Sequence, residues 1–143
     1  MTGRFDEHGI RFDYPTDWNV EVDSDGEKTT VSVHAPDGVA FALVALDESC
    51  PEPSEVAGQA LDAMEQEYPD LDAFPVIESI DGHQAVGHEV EFMSLDATNS
   101  CSIRCYRTPR RTVLVFGQWS DLEGEGPADQ IRSLRSSLEE TDC

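Results

Sequence analysis

Lysine is nearly missing: Lys28 is the only one in 143 residues. Arginine brings the basic residues to nine, against thirty acidic ones, for a formal charge of −21. The shortage is also local. Residues 1–99 hold 23 acidic and three basic side chains (Arg4, Arg11 and Lys28), and no lysine or arginine occurs between positions 29 and 103. Such a chain repels phosphate backbones and anionic lipid, which argues against nucleic acid or an acidic membrane as partner. Long apolar runs are missing too. The longest, VAFALVAL at 39–46, falls far short of the roughly 20 residues of a spanning helix. Cysteine is sparse and unevenly spaced (Cys50, Cys101, Cys105, Cys143). A chain of this length buries roughly two thirds of its unfolded surface and needs no disulfide framework. The opening MTGRFDEHGI has no charged-then-apolar leader and no lipidation cysteine, so the expected location is the cytoplasm.

What is present is periodic. Ile10, Phe12 and Tyr14 alternate with polar residues, as do Trp18, Val20 and Val22, and then Val31, Val33 and Ala35; each set predicts a strand with one wet face. VAFALVAL is apolar throughout and predicts an interior strand covered on both sides. PEPSEVAGQALDAMEQEYPD predicts a helix with Ser54 as N-cap and a stripe of Val56, Ala60, Leu61, Met64 and Tyr68, stopped at Pro69. Strands are expected at 75–80, 84–95, 100–107 and 111–119, joined by an Asp81-Gly82 turn and a hairpin tip at Pro109. GPADQIRSLRSSLEE predicts a closing helix with Pro127 in its first turn and Ile131, Leu134 and Leu138 on one face. The order is four strands, a helix, four strands, a helix. Short turns make the sheet mainly antiparallel, so the fold class is α+β: about seven to eight strands covered by two amphipathic helices in a three-layer α/β/α sandwich. No repeat or linker divides the chain, which reads as one domain over 1–143.

Residues that carry chemistry are few. His83 and His88 are five apart on a strand and face opposite ways, so a shared metal ion would need a bulge between them. Cys101 and Cys105 share a face but lie roughly 13 Å apart, beyond joint ligation of one ion, and read as structural thiols. There is no G-x-S-x-G elbow, and GEGP at 124–127 lacks the lysine and spacing of a phosphate loop. No catalytic residue, metal site or cofactor is assigned. The distinctive stretch is RCYRTPRRT, which gathers Arg104, Arg107, Arg110 and Arg111 around Tyr106. Arginine forks grip carboxylates in two-point contacts and stack on rings, so this hairpin is the candidate partner-binding site, for an acidic segment of another protein or of a second copy in a homodimer. The competing reading pairs these arginines with the protein's own carboxylates. The acidity also has two readings: adaptation to a salt-rich cytoplasm, or a docking face for a basic partner.

The opening FDYPTDW, an interior strand after APDG, the DGHQAVG turn before a long strand, and TVLVFGQW leading into a terminal amphipathic helix together resemble the PsbP-like fold. That superfamily includes the photosystem II extrinsic protein PsbP, a Ran-binding nuclear import factor and small prokaryotic proteins such as chaperones for type VI secretion effectors. The resemblance covers about residues 9–139 and implies a non-enzymatic accessory domain acting through protein contacts. It also implies that Tyr14 and Trp18 seal one end of the core at a proline-containing corner. Two alternatives stay open: these two aromatics line a ligand pocket, or the domain carries a small ligand or metal between sheet and helix.

Overall fold

The computed structural model describes residues 2–36, 39–94 and 96–141. Asp37 and Gly38 ahead of VAFALVAL, Leu95 at the end of the expected strand 84–95, and Cys143 lie outside the described residues. The chain opens with a hairpin of β1 (Thr2–Glu7) and β2 (Ile10–Pro15), then runs through β3 (Asn19–Asp25), β4 (Lys28–His34) and β5 (Phe41–Asp47) into α1 (Pro53–Glu67). A second meander follows: β6 (Asp72–Ile80), β7 (His83–Ser94), β8 (Ala97–Arg107) and β9 (Thr112–Ser120). A single 3-10 turn (Asp121–Glu123) leads into α2 (Gly126–Ser137) and the short β10 (Glu139–Glu140).

Seven strands form one antiparallel sheet in the order β3-β4-β5-β9-β8-β7-β6, so each meander is contiguous and the two join where β5 pairs with β9. The remaining strands form a small sheet, β1-β2-β10. Two strands were not legible in the residue pattern: β1, and β10, whose Glu139 and Glu140 fall in the stretch expected to be helix. β1 contains one buried apolar residue, Phe5, and is recruited by full pairing with β2 across the His8-Gly9 turn, where both residues adopt positive φ. The Asp81-Gly82 turn between β6 and β7 has the same left-handed pair. α1 starts at Pro53 with Glu52 as N-cap, two residues before the expected Ser54; the missing N–H and preset φ of proline suit the first helical position.

The two helices cover opposite faces. α1 lies on β7, β8 and β9, where Ala57 and Met64 pack with Val90, Phe92, Cys101, Ile103 and Cys105. α2 and the small sheet cover the other face, where Phe12, Val31, Val44, Tyr106, Ile131, Leu134 and Leu138 form the larger core. Full burial of Ile131, Leu134 and Leu138 contributes about 1.5–3 kcal/mol each. α2 comes close because Gly117 lies beneath it: a β-carbon there would be 2.5 Å from Ile131 Cγ2. The corner at 14–18 belongs to this core. The Trp18 amide donates to the Pro15 carbonyl at 3.0 Å, Phe5 stacks on Phe12 with ring centres 5.1 Å apart, and Tyr14 meets Phe12 edge-on at 6.2 Å.

Candidate interaction sites

The arginine hairpin divides between interior and surface. Arg104 sits on central β8, paired with Gly87 of β7. Since Gly87 has no side chain, the guanidinium can cross β7, donating from Nε to Glu78 Oε1 at 2.8 Å on β6 and placing NH1 2.7 Å from Glu89 Oε2. From α2, Arg135 Nε donates to the other oxygen of Glu78 at 2.9 Å, and its NH1 donates to Ser102 Oγ at 3.3 Å. Burial opposes ionisation of Glu78, but its hydrogen bonds and the charges of Arg104 and Arg135 outweigh that penalty and hold its carboxyl below the usual range.

Tyr106 is also interior. Its ring stacks on His83 at 5.4 Å, and burial, aided by Asp81 and Glu140, pushes its phenol up. Arg111 is buried, donates from NH1 to the His8 carbonyl at 2.8 Å and lies 3.4 Å from Glu140. Glu140 also accepts from Thr108, and its amide donates to Asp81, so β10 ties the tip of the β8–β9 hairpin to the β6–β7 turn. Arg107 and Arg110 remain exposed; Arg107 faces Glu52 at 3.6 Å and donates to the Cys50 carbonyl. A grip by all five residues is therefore corrected. Arg104 and Tyr106 are buried because β8 is a central strand covered on both faces, and Arg111 is buried in the β8–β9 connection against the His8 carbonyl and Glu140.

Tyr14 and Trp18 also separate. Trp18 is buried in the core, whereas Tyr14 lines a cleft of about 290 Å³ with Thr2, Asp13, Pro15 and α2 residues Asp129, Gln130 and Ser133. Trp18 is therefore not among the residues that line this cleft. His83 and His88 lie on opposite faces of β7: His83 stacks on Tyr106, while His88 pairs in register with Ile103 of the α1-covered face. Among the described residues, no group of three histidine, cysteine or acidic side chains comes within reach of one ion. Cys101 and Cys105 are buried beneath α1; burial, followed by Glu89, pushes the Cys101 thiol up, and burial, followed by Glu52, pushes Cys105 up to about 12.

Exposed apolar side chains were not singled out from the sequence. Beyond the C-terminus of α1, the rings of Tyr68 and Phe92 stack at 4.1 Å and are shared by two adjoining clefts of about 200 and 290 Å³. Val39 and Leu122, the latter 82% exposed, line one cleft, and Met93, 64% exposed, lines the other. A second set lies on the outermost strand of the large sheet, where Phe74 and Ile77 of β6 are 56% and 70% exposed. A single exposed leucine is ordinary; several around a preformed cleft resemble an interaction surface.

No protein-family model matches the chain, and no curated protein matches it. Solved structures do. Cyanobacterial PsbP (CyanoP) from Synechocystis sp. PCC 6803 aligns over 97% of this chain and 92% of its own, with 14% identity and a TM-score of 0.65. LpqN, involved in cell envelope biogenesis of Mycobacterium tuberculosis, aligns over 99% and 91%, with 12% identity and a TM-score of 0.63. A protein of Bacteroides thetaiotaomicron VPI-5482 aligns over 94% of this chain at 13% identity and a TM-score of 0.62; the chain spans 46% of that protein's length. At these identities the likeness concerns architecture, and the chain has the PsbP-like fold.

Proposed function

We propose that the protein is a non-enzymatic accessory domain that acts by binding another protein. The observation that carries this reading is the Tyr68–Phe92 cleft with Val39, Met93 and Leu122 standing open around it. An apolar side chain from a partner would bury there, while the acidic surroundings set charge preference and approach rate. The groups with most chemical potential are engaged elsewhere: the buried thiols are held protonated, and Arg104 and Arg135 are locked on Glu78. We place the domain in the cytoplasm as part of the same proposal, since the buried free thiols Cys101 and Cys105 suit a reducing compartment.

The test is affinity capture from the source cells with the wild type and with Leu122→Asp. A stoichiometric partner retained by the wild type and lost by the variant supports the reading. A second reading has its own observation, a groove of about 270 Å³ between α1 and the sheet lined by Lys28, Thr30, Ala45, Val56 and Leu114. A native mass spectrum showing a co-purified small molecule, with no captured protein, would favour that carrier role.

A further inference from the structure

The two edges of the large sheet differ. An edge strand presents backbone groups to any extended chain, and proteins usually blunt it with charge. β3 follows that rule, with Glu21, Asp23 and Asp25 exposed within seven residues. β6 does not. Its nine residues carry exposed Phe74 and Ile77, and Glu78, one of its two carboxylates, is turned inward to Arg104 and Arg135. Pro75 removes one backbone donor, which an edge strand tolerates, but otherwise the ladder is open to extension.

Among the described residues, no ion pair reaches Asp72 or Glu91 beside this edge. Asp72 of β6 stands directly opposite Glu91 of β7, and Phe74 stands opposite Glu89 in the next pair on the same face. Like charges placed opposite each other across a sheet destabilise it. Arg104 is spent on Glu89 and Glu78, and Arg135 on Glu78, so neither of these two cations is paired with Asp72 or Glu91. A second copy would bring a further −21 charge to this edge, whereas a basic segment would relieve the existing repulsion.

We propose that β6 is a strand-addition site for an extended basic segment of a partner protein, with lysine or arginine beside Asp72 and Glu91 and apolar side chains beside Phe74 and Ile77. The main-chain ladder provides affinity, and the alternating side chains provide register and choice of partner. This inference rests on the protein-binding reading above and locates a contact separate from the Tyr68–Phe92 cleft.

The probe is a blocked peptide of alternating lysine and valine, followed by amide hydrogen exchange of the full chain. The expected result is slowed exchange over residues 72–80 and affinity that falls as KCl is raised. The double variant Asp72→Asn with Glu91→Gln, and separately Phe74→Ser, should each weaken binding by about tenfold. All three side chains are exposed, so a thermal midpoint no lower than that of the wild type is expected to show that folding is intact. Absence of binding, protection confined to another strand, or equal affinity for a glutamate–valine peptide overturns the proposal. So does a dimer whose β6 amides are already protected without peptide. If β6 fails while a captured partner remains sensitive to Leu122→Asp, this site alone is removed and the binding reading stands.

Discussion

Replacing Glu78 with glutamine keeps the side-chain shape but removes the negative charge between two buried guanidinium groups. Arg104 and Arg135 lie 2.8 and 2.9 Å from its two oxygens. Two unit charges at this range interact by about 4 kcal/mol at the effective dielectric of a protein surface. Most of that gain offsets desolvation in the wild type, and the variant loses the gain while both arginines stay buried. Removing one partner of a buried pair costs about 3–5 kcal/mol; the lower end applies because Glu78 retains 29% side-chain exposure and Glu89 still faces Arg104. The expected loss is about 3 kcal/mol, read as a fall of about 1.5 M in the urea midpoint at a slope of about 2 kcal/mol/M. The pH dependence has a definite sign. Because the folded carboxyl is held below its unfolded value, its stabilisation is fully present above the unfolded value and disappears as pH falls through the folded one. The gap between wild type and variant should begin to narrow below about pH 4 and close only as pH falls through the folded value. A gap smaller than about 0.5 kcal/mol at neutral pH, or one unchanged in acid, would refute this account of the network.

Gly87→Ala should destabilise by more than about 2 kcal/mol in urea titration, because a β-carbon there collides with the Ile103 carbonyl on β8 and obstructs the path of Arg104; a change confined to propensity would contradict this. Cys101 and Cys105 should resist a thiol reagent in native protein at pH 8 and label only at the rate of unfolding, as read by peptide mass spectrometry; labelling within minutes would show that α1 does not seal them. The thermal midpoint should rise with KCl, since the Debye length shrinks to about 3 Å at 1 M and screens thirty carboxylates from one another; a midpoint independent of salt would mean that their repulsion is already relieved within the fold.

The first meander was legible because β4 announces a buried face by alternation and β5 an interior position by its unbroken apolar run: Val31 and Val33 point into the core as the period of two requires. The terminal helix was equally plain in Ile131, Leu134 and Leu138. The interior position of Arg104 was readable in principle. Cys101, Ile103 and Cys105 mark one face of that segment as apolar, and Tyr106 marks the other, so a strand with two covered faces must bury the arginine between them. Its partner was not readable, because Glu78 lies 26 residues away and meets it only through the register of β6 on β7 and β7 on β8. The β6 edge was hidden for a similar reason. Phe74 and Ile77 have the composition of an interior strand, and only the strand order leaves them outside.

The distribution of arginine ties stability to recognition. Arg104, Arg111 and Arg135 are buried, each in contact with a carboxylate, so three of nine basic residues serve the inside of a molecule charged at −21. Withdrawing cations from the surface leaves the outside more negative than the composition alone suggests. The consequence at β6 is asymmetric: the inward turn of Glu78 toward Arg104 and Arg135 removes one of its two carboxylates from the edge, while the Asp72–Glu91 pair keeps its repulsion. Glu78→Gln and the Asp72→Asn, Glu91→Gln double variant should therefore act in opposite senses. The first lowers stability; the second removes like-charge repulsion and should raise stability by a few tenths of a kcal/mol, about the lower end for a cross-strand pair, while weakening attraction for a basic strand. If the double variant destabilised the fold, the two carboxylates would be serving the interior, and the electrostatic case for a basic occupant would fail with them.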